Sequence, residues 1–333
     1  VEGKFYVWTK KEIKEILGDD ADIFCLFYDV TDGGNWEGNT ILCNNLCLSN
    51  IAFNFGITEE KVREILKASS EKLLKVRSNR IPPGLDDKVL VSWNSLMITA
   101  FAKGYRVTND TKYLDAAKNC ISFIEKNLFS DGNLLRTYKN GTAKIDGYLE
   151  DYSYFLNALL DVFEIEPDVK YIKLASKLGH HLVDHFWDSE NNNFFVTSDN
   201  HEKLIIRPKS NYDLSLPSGN SVSAFVMLRL HHILHEKKFL DITTKILESQ
   251  AQMAAENPFG FGYLLNTLAI YLEKPVEITI INQENSEICQ SLISKYLPNS
   301  FRVTINDSTQ LEKLSEYPFF AGKTFESKTS VFV

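Results

Sequence analysis

The feature that most constrains the fold is a helical periodicity of apolar residues from about residue 58 to residue 272. The predicted helices alternate in character along the chain. Segments such as SWNSLMITAFAKGYRV and NSVSAFVMLRL are apolar around most of their circumference, whereas KYLDAAKNCISFIEKNL has a clear polar side. This alternation is typical of inner helices shielded by an outer ring, as in an α/α barrel or toroid. The predicted helices are 58–78, 92–107, 111–127, 148–164, 168–186, 217–235, 237–255 and 260–272.

The pattern changes at both ends of this helical region. After Pro275, PVEITII and FRVTIN are strand-like, SEICQSLISKYL is helical, and TSVFV is suited to a last strand, which predicts a small α/β unit. Within the helical region, FSDGNLLRTYKNGT and DSENNNFFVTSDN have the Gly and Asn turns of short extended excursions. We therefore predict an irregular helical segment leading into the toroid at 1–57, α/α toroid helices at 58–273, and a small α/β unit at 274–333.

Charge and hydropathy exclude several classes of partner. The net charge is −8, so the chain lacks the basic character of proteins that bind nucleic acid or anionic lipid. Apolar runs such as SVSAFVMLRL end well before the roughly 18 residues that a membrane span needs. The five cysteines are scattered and lack the spacing of a disulfide framework or a zinc site. We predict no nucleic-acid or membrane partner, no metal or other cofactor, and a cytoplasmic location.

Three predicted inner helices carry a polar residue among apolar neighbours near their N-terminal ends: Asn94, Asp151 and Asn220. Asp151 lies about 100° around its helix from a polar stripe that we interpret as the ordinary polar side. Burying such a group is costly unless it is hydrogen-bonded, so each residue either caps its helix or serves a site. We predict that the three N-terminal ends meet at one mouth of the toroid. The polar stripe beside Asp151 consists of Glu150, Ser153, Asn157, Asp161 and Glu164, and that of helix 92–107 consists of Ser92, Ser95, Thr99, Lys103 and Arg106.

Residues at the same ends supply groups suited to carbohydrate chemistry. Asp87 and Asp151 are the candidate pair of carboxylates for general acid and base catalysis. Aromatic rings such as those of Trp93 and Tyr152 can stack on the C–H face of a sugar, although such rings more often belong to the core. We predict Asp87 and Asp151 as catalytic residues, and substrate contacts from Trp93, Asn94, Glu150, Tyr152, Ser218 and Asn220.

The chain resembles the spermatogenesis-associated, thioredoxin-domain-containing protein family in GKFYVWT, GLDDKVLVSWNSLMI, GYLEDYSYFLNALL, RPKSNYDLSLPSGNSVSA and NPFGFGYLL. The matching stretches begin at residue 3, and the resemblance covers essentially the whole chain. In that family a thioredoxin-like domain precedes a toroid related to six-hairpin glycosidases and sugar epimerases. The resemblance implies that this chain starts inside the toroid, without the thioredoxin-like domain and the first toroid hairpins. One departure is Ser95, where the family pattern usually has Gly.

Two functions remain open from the sequence. One is a carbohydrate-active hydrolase or epimerase that binds its ligand in the toroid cavity. The other is a non-catalytic scaffold or binding module that serves a thioredoxin-like redox domain. An enzyme should gather its polar groups around one pocket, whereas a scaffold should pair them in capping hydrogen bonds. Because eight predicted helices are fewer than a full six-hairpin toroid contains, we also expect an open side that the N-terminal part of the protein, or another chain, covers. The alternative is that residues 1–57 fold back as irregular helices and close that side.

Overall fold

The computed structural model describes residues 3–202, 205–281, 291–292, 295–325 and 329–333. The chain divides into two units, Val1–Asp86 and Asp87–Val333, each with its own internal packing. The first unit therefore includes a helix that we assigned to the toroid, and the second includes both toroid helices and the C-terminal strands. The predicted boundaries at residues 57 and 273 stay predictions.

The first unit consists of four helices around a small apolar core. Arg80 contacts the N-terminal segment of this unit: its guanidinium lies 3.9 Å from the Trp8 ring centroid and 2.7 Å from Glu12 Oε1. Thr9 and Glu12 form a capping box at the first helix, which satisfies backbone amides that the helix leaves open. The helix predicted at 58–78 is confirmed, and the segment 1–57, which we predicted to be irregular and helical, also forms helices. They are α1 (Lys10–Leu17), α2 (Ala21–Phe27), α3 (Leu48–Phe55) and α4 (Glu59–Arg77).

The second unit is built from helical hairpins in two layers. The inner helices α5, α7, α9 and α11 pack side by side in chain order, and the outer helices α6, α8 and α10 each pack on the inner helix before them. This arrangement confirms the predicted α/α toroid segment. Over the described residues, the two end helices of the inner row have no comparable packing on each other, so the row is an arc. The bounds are α5 (Val91–Thr108), α6 (Thr111–Asn127), α7 (Leu149–Phe163), α8 (Val169–His185), α9 (Gly219–Leu234), α10 (Lys237–Glu256) and α11 (Gly262–Glu273).

Helix α7 is the centre of this unit. It lies between α5 and α9 and under α8, so nearly all of its residues are buried, including Phe155, Leu159 and Phe163. Each such side chain contributes about 1.5–3 kcal/mol when it leaves water. Asp110 and Asp168 are the N-cap residues of the outer helices α6 and α8, and each carboxylate accepts a hydrogen bond from a first-turn amide.

Short strands occupy the predicted extended excursions and the C-terminal tail. The strand-like segments predicted in the tail form β7, β8 and β9, and β7 pairs parallel with β8 and antiparallel with β9. The β8 residue Thr304 donates its amide to the Glu164 carbonyl at 3.1 Å, so the tail packs against the C-terminal end of α7. The helix predicted in SEICQSLISKYL lies largely outside the described residues. The strands are β1 (Val89–Leu90), β2 (Phe129–Ser130), β3 (Asn133–Lys139), β4 (Thr142–Asp146), β5 (Trp187–Asp188), β6 (Asn193–Phe194), β7 (Val276–Ile281), β8 (Ser300–Ile305) and β9 (Ser330–Phe332), and helix α12 is Ser308–Leu314.

Candidate functional site

The N-terminal ends of the inner helices α5, α7 and α9 lie together. The Ser92 amide of α5 donates to Asp151 Oδ1 of α7 at 3.0 Å. At the start of α9, a Cβ atom on Gly219 would lie 2.8 Å from Leu149 Cγ and 3.3 Å from the Glu150 amide nitrogen, so α9 approaches α7 at backbone distance. The predicted meeting of these three helix ends is confirmed.

Asp151 is completely buried at this junction, and both of its carboxylate oxygens accept hydrogen bonds from the protein. Besides Ser92, its carboxylate accepts hydrogen bonds from the Tyr148 amide at 2.9 Å and from Arg136 Nη1 at 2.7 Å. Burial raises the pKa of Asp151 above its ordinary value, and the positive charge of Arg136 opposes that rise without cancelling it. The carboxylate therefore joins the first turns of α5 and α7 and anchors Arg136 beside them.

The two predicted asparagines also bind backbone groups. Asn220 is completely buried, accepts the Phe194 amide at 2.7 Å, and donates to the carbonyls of Phe194 at 3.0 Å and Ser210 at 3.1 Å. Asn94 donates to the Leu90 carbonyl at 2.8 Å. Asn220 therefore holds two loop segments against the start of α9, whereas the Asn94 bond is local to the first turn of α5.

The remaining predicted residues are dispersed between solvent and the core. Asp87 is exposed and forms an ion pair with Lys139 at 2.5 Å, and that hydrogen bond lowers the pKa of the Asp87 carboxyl. Trp93 is 62% exposed on the surface of α5. Tyr152 is buried, its hydroxyl accepts the Leu134 amide at 2.9 Å, and burial raises its pKa to about 12.

A shallow groove of about 330 Å³ lies at the same mouth. It is lined by two of the predicted substrate-binding residues, Glu150 and Ser218, together with Tyr212 and Leu216. Glu150 forms an ion pair with Arg136 at 2.8 Å, and Ser218 Oγ accepts the Ser221 amide to cap α9. The structure thus brings Glu150 and Ser218 together, but it engages both in contacts within the protein.

A larger cavity of about 680 Å³ lies on the inner face of the arc. Its walls come from α5, α7, α9 and α11 and from residues 295–302 of the tail. The polar stripe of α7 faces this cavity, so our interpretation of that stripe as an ordinary polar side needs correction. The inner helices of a toroid enclose a polar interior, and a polar stripe on such a helix points inward. The stripe residues that line the cavity are Thr99, Lys103, Arg106, Asn157, Asp161 and Glu164.

Arg229 of α9 is the centre of a buried charge network in the cavity wall. Its Nη1 donates to Asp161 Oδ1 at 2.9 Å and to Asn157 Oδ1 at 2.8 Å, and its Nη2 donates to Glu164 Oε1 at 2.6 Å. The other oxygen of Glu164 accepts from Arg106 Nη2 at 2.5 Å. The network joins α5, α7 and α9 and fixes each polar group in one orientation.

The network holds its carboxylate and guanidinium groups ionised. Burial alone would raise the pKa of Glu164, but the charges and hydrogen bonds of Arg229 and Arg106 bring it below its ordinary value. Burial alone would lower the pKa of Arg229, but the carboxylates of Glu164 and Asp161 raise it. Glu164 and Arg229 are therefore charged throughout the neutral range, and sequence reasoning missed Arg229. The available signal was a lone arginine in an apolar inner helix, with carboxylates three residues apart on the neighbouring one.

Aromatic side chains form another part of the cavity wall, contributed by Tyr154, Phe225 and Tyr263. Burial raises the pKa of both Tyr154 and Tyr263, so both remain neutral phenols. The Tyr154 hydroxyl donates to the carbonyl of Pro217, a residue that lines both the cavity and the shallow groove. The cavity therefore offers both ring faces and a dense set of polar groups.

The part of the chain that the structure describes contains no group of three or more His, Cys, Asp and Glu side chains suited to a metal ion. The thiols of Cys25, Cys43, Cys47 and Cys120 are free. None of the described helices is both long and apolar enough to cross a membrane. The predicted absence of zinc and of disulfides stays a prediction.

The packing of inner and outer helices defines this chain as an α/α toroid segment with an α/β tail. It is 26% identical over 355 residues to human spermatogenesis-associated protein 20, covering 96% of this chain and 45% of that protein. It is 25% identical to the rat protein of the same name over 368 residues, covering 100% of this chain and 47% of that protein. The chain is similar in sequence to spermatogenesis-associated protein 20, as its resemblance predicted, and spans about half the length of the curated relatives it matches. No family model matches the chain.

Solved structures with some similarity include carbohydrate-active proteins. An α-1,6-mannanase from a Salegentibacter species is 19% identical, with a TM-score of 0.42 over 72% of this chain and 70% of that one. A D-mannose isomerase is 16% identical, with a TM-score of 0.42 over 51% of this chain and 42% of that one. Similarity at this level carries no argument about function. The fold assignment therefore depends on the helix packing described above.

Proposed function

We propose that the cavity on the inner face of the toroid segment binds a carbohydrate. The observation that carries this proposal is the inward-facing polar stripe of α7, which places Asn157, Asp161 and Glu164 in the wall of a concave cavity. The cavity volume of about 680 Å³ lies within the range of small-molecule sites, which is roughly 300–1,000 Å³. A stripe used only for solubility would not line a cavity.

The cavity chemistry suits a polyol. A sugar hydroxyl both donates and accepts hydrogen bonds, and the wall supplies acceptors on Asp161 and donors on Arg106. Both groups remain reachable, because Asp161 keeps 14% and Arg106 keeps 22% of its side chain exposed. The ring faces of Phe225 and Tyr263 in the same wall suit the C–H face of a pyranose. Fixed polar groups beside aromatic surface give a site that is organised before the ligand arrives.

Catalysis in the same cavity would need a carboxyl group that exchanges protons with the ligand. Glu164 is poorly suited, because two guanidiniums hold it ionised and occupy both its oxygens. Asp161 is the better candidate for a general base, since it is the more exposed cavity carboxylate. The roles predicted for Asp87 and Asp151 stay predictions, and the three hydrogen bonds to Asp151 favour a structural role for it.

Calorimetric titration with a panel of mono- and oligosaccharides tests the proposal. Ala269 lines the cavity and is exposed, so Ala269→Trp fills the cavity while leaving the charge network in place. The matched control is Ala251→Trp, at an exposed position on the outer helix α10. We expect saturable binding to the unaltered protein and to the control, and at least tenfold weaker binding to Ala269→Trp. Absence of sugar binding, or equal binding by the two tryptophan variants, contradicts the proposal.

A second candidate function is a non-catalytic scaffold for a thioredoxin-like domain. The observation in its favour is that Asn94, Asp151 and Asn220, the polar residues that were predicted to form a site, bind backbone groups or neighbouring side chains of the protein. If the chain is such a scaffold, no sugar should bind to the folded protein. The expected partner is then the thioredoxin-like and toroid part that precedes this segment in the family, or another chain. Cross-linking of the intact protein would detect that contact.

A further inference from the structure

The cavity differs in charge from the protein that contains it. The whole chain carries a net charge of −8. Among the described residues that line the cavity, five are cationic and two are carboxylates, a formal excess of three positive charges. An acidic protein with a locally basic cavity concentrates anions there, because the low-dielectric walls focus the field. The cationic residues are Lys103, Arg106, Arg229, Lys295 and Arg302, and the carboxylates are Asp161 and Glu164.

The two carboxylates do not neutralise all of these cations. Asp161 and Glu164 both bind Arg229, and Glu164 is also shared with Arg106, so two negative charges face two guanidiniums. Lys103 is exposed on α5, one turn before Arg106, and adds a further positive charge to the same wall. Among the described lining residues, the excess positive charge therefore lies on α5 and on the tail.

Arg302 of β8 is fixed on the tail side of this space. Its Nη1 donates to the carbonyls of Leu292 at 2.6 Å and Lys295 at 3.1 Å. Burial lowers the pKa of Arg302, and the positive charge of Arg106 lowers it further. The nearby carboxylate of Glu164 opposes this effect, and both guanidiniums line the same cavity, where they can attract an anion.

We infer that the ligand of this cavity is an anionic carbohydrate, a sugar that carries a carboxylate or a phosphate group, with its charged group held between Arg106 and Lys103 on α5 and Arg302 on β8. This inference rests on the proposed function and names the ligand class for the same site. Guanidinium groups present paired donors that match the oxygens of either a carboxylate or a phosphate. The remaining hydroxyls of the sugar then face Asn157 and Asp161.

Matched neutral and anionic sugars separate this inference from the proposed function. Glucose, glucuronate, glucose 6-phosphate and inorganic phosphate are titrated into the protein at about 20 mM and about 500 mM salt, where screening lengths differ several-fold. We expect at least one anionic sugar to bind about tenfold or more tightly than glucose at low salt, and to lose that advantage at high salt. Which anionic sugar binds identifies the charged group. Glucose binding as tightly as both anionic sugars overturns the inference and leaves the proposed function standing, whereas absence of all binding overturns both.

A charge-reversal pair tests the location. Lys103→Glu changes a lysine in the cavity wall, and Lys245→Glu makes the same change in net charge at an exposed position on the outer helix α10. We expect Lys103→Glu to weaken binding of the anionic sugar by about fivefold or more and Lys245→Glu to leave it unchanged. Equal effects from the two variants would show that net charge alone is responsible and would overturn the inference, as would inorganic phosphate binding as tightly as the sugars.

Discussion

Replacement of Arg229 by methionine is the perturbation that most strongly tests the buried charge network. The Arg229 side chain is 2% exposed and donates hydrogen bonds to Asp161, Asn157 and Glu164. Methionine retains an unbranched chain of similar length but supplies neither the charge nor the donors. The variant therefore leaves two carboxylates in the cavity wall without their shared cation.

The size of the effect follows from what each carboxylate retains. Breaking a buried ion pair by removal of one partner costs about 3–5 kcal/mol. Glu164 keeps Arg106 at 2.5 Å and Asp161 keeps the amide of Asn157 at 3.1 Å, so we expect the lower end of that range. Arg229→Met should lower the free energy of unfolding by about 3 kcal/mol in urea denaturation followed by circular dichroism at pH 7.

The acid limb of the stability profile provides a second readout of the same variant. The folded-state pKa of Glu164 lies below its ordinary value, so its ionised form contributes stability above the ordinary pKa of a glutamate. That contribution is lost as the pH falls through the lowered folded-state pKa. Removal of Arg229 takes away the largest charge that lowers this pKa, so the acid-dependent loss of stability should shrink.

A surface cation provides the control for Arg229→Met. Lys238 forms an exposed ion pair with Asp184 at 3.1 Å, and Lys238→Met should change the free energy of unfolding by less than about 0.5 kcal/mol. If Arg229→Met costs less than about 1 kcal/mol, or leaves the acid limb unchanged, the assignment of a central electrostatic role to Arg229 is wrong.

Two further predictions concern the mouth where the inner helices meet. Gly219→Ala should lower stability by about 1–3 kcal/mol in thermal unfolding, because the added methyl would lie 2.8 Å from Leu149 Cγ. The control Gly262→Ala should be neutral or slightly stabilising, because a methyl added there would meet no neighbouring atom within 4 Å. The same melting temperature for both variants would refute the close approach of α9 to α7. Asn220→Asp keeps the acceptor for the Phe194 amide but places an oxygen against two carbonyls, so the free energy of unfolding in urea should fall by about 2 kcal/mol or more. A fall of less than about 0.5 kcal/mol would show that the amide donors of Asn220 are dispensable.

The helices of this fold could be predicted from the sequence because their apolar period persists over many turns. The difference between the nearly all-apolar segment that became α9 and the amphipathic segment that became α6 also predicted which helices lie inside. The strand-like segments of the tail were predicted for the same reason. The parallel pairing of β7 with β8 brings together residues more than twenty positions apart, and it depends on the helical core beneath them.

The candidate site was harder to predict because its partners are distant in sequence. The unusual positions of Asp151 and Asn220 were visible, but their bonds to Arg136 and Phe194 depend on how the loops fold back. The direction of the α7 stripe was misinterpreted, since polar residues that face a cavity and those that face solvent have the same period. Arg229 stands out in the sequence only as a single arginine in an apolar helix, and its partners follow from the packing of α9 on α7.

A structure of the protein with a bound sugar tests the central claim most directly. We expect ligand density in the cavity between α5, α7, α9 and α11, with sugar hydroxyls within hydrogen-bonding distance of Asp161 and Asn157. Density in the groove beside Glu150 and Ser218 instead, with the cavity unchanged, would contradict the account and would return the site to the mouth where the sequence first placed it.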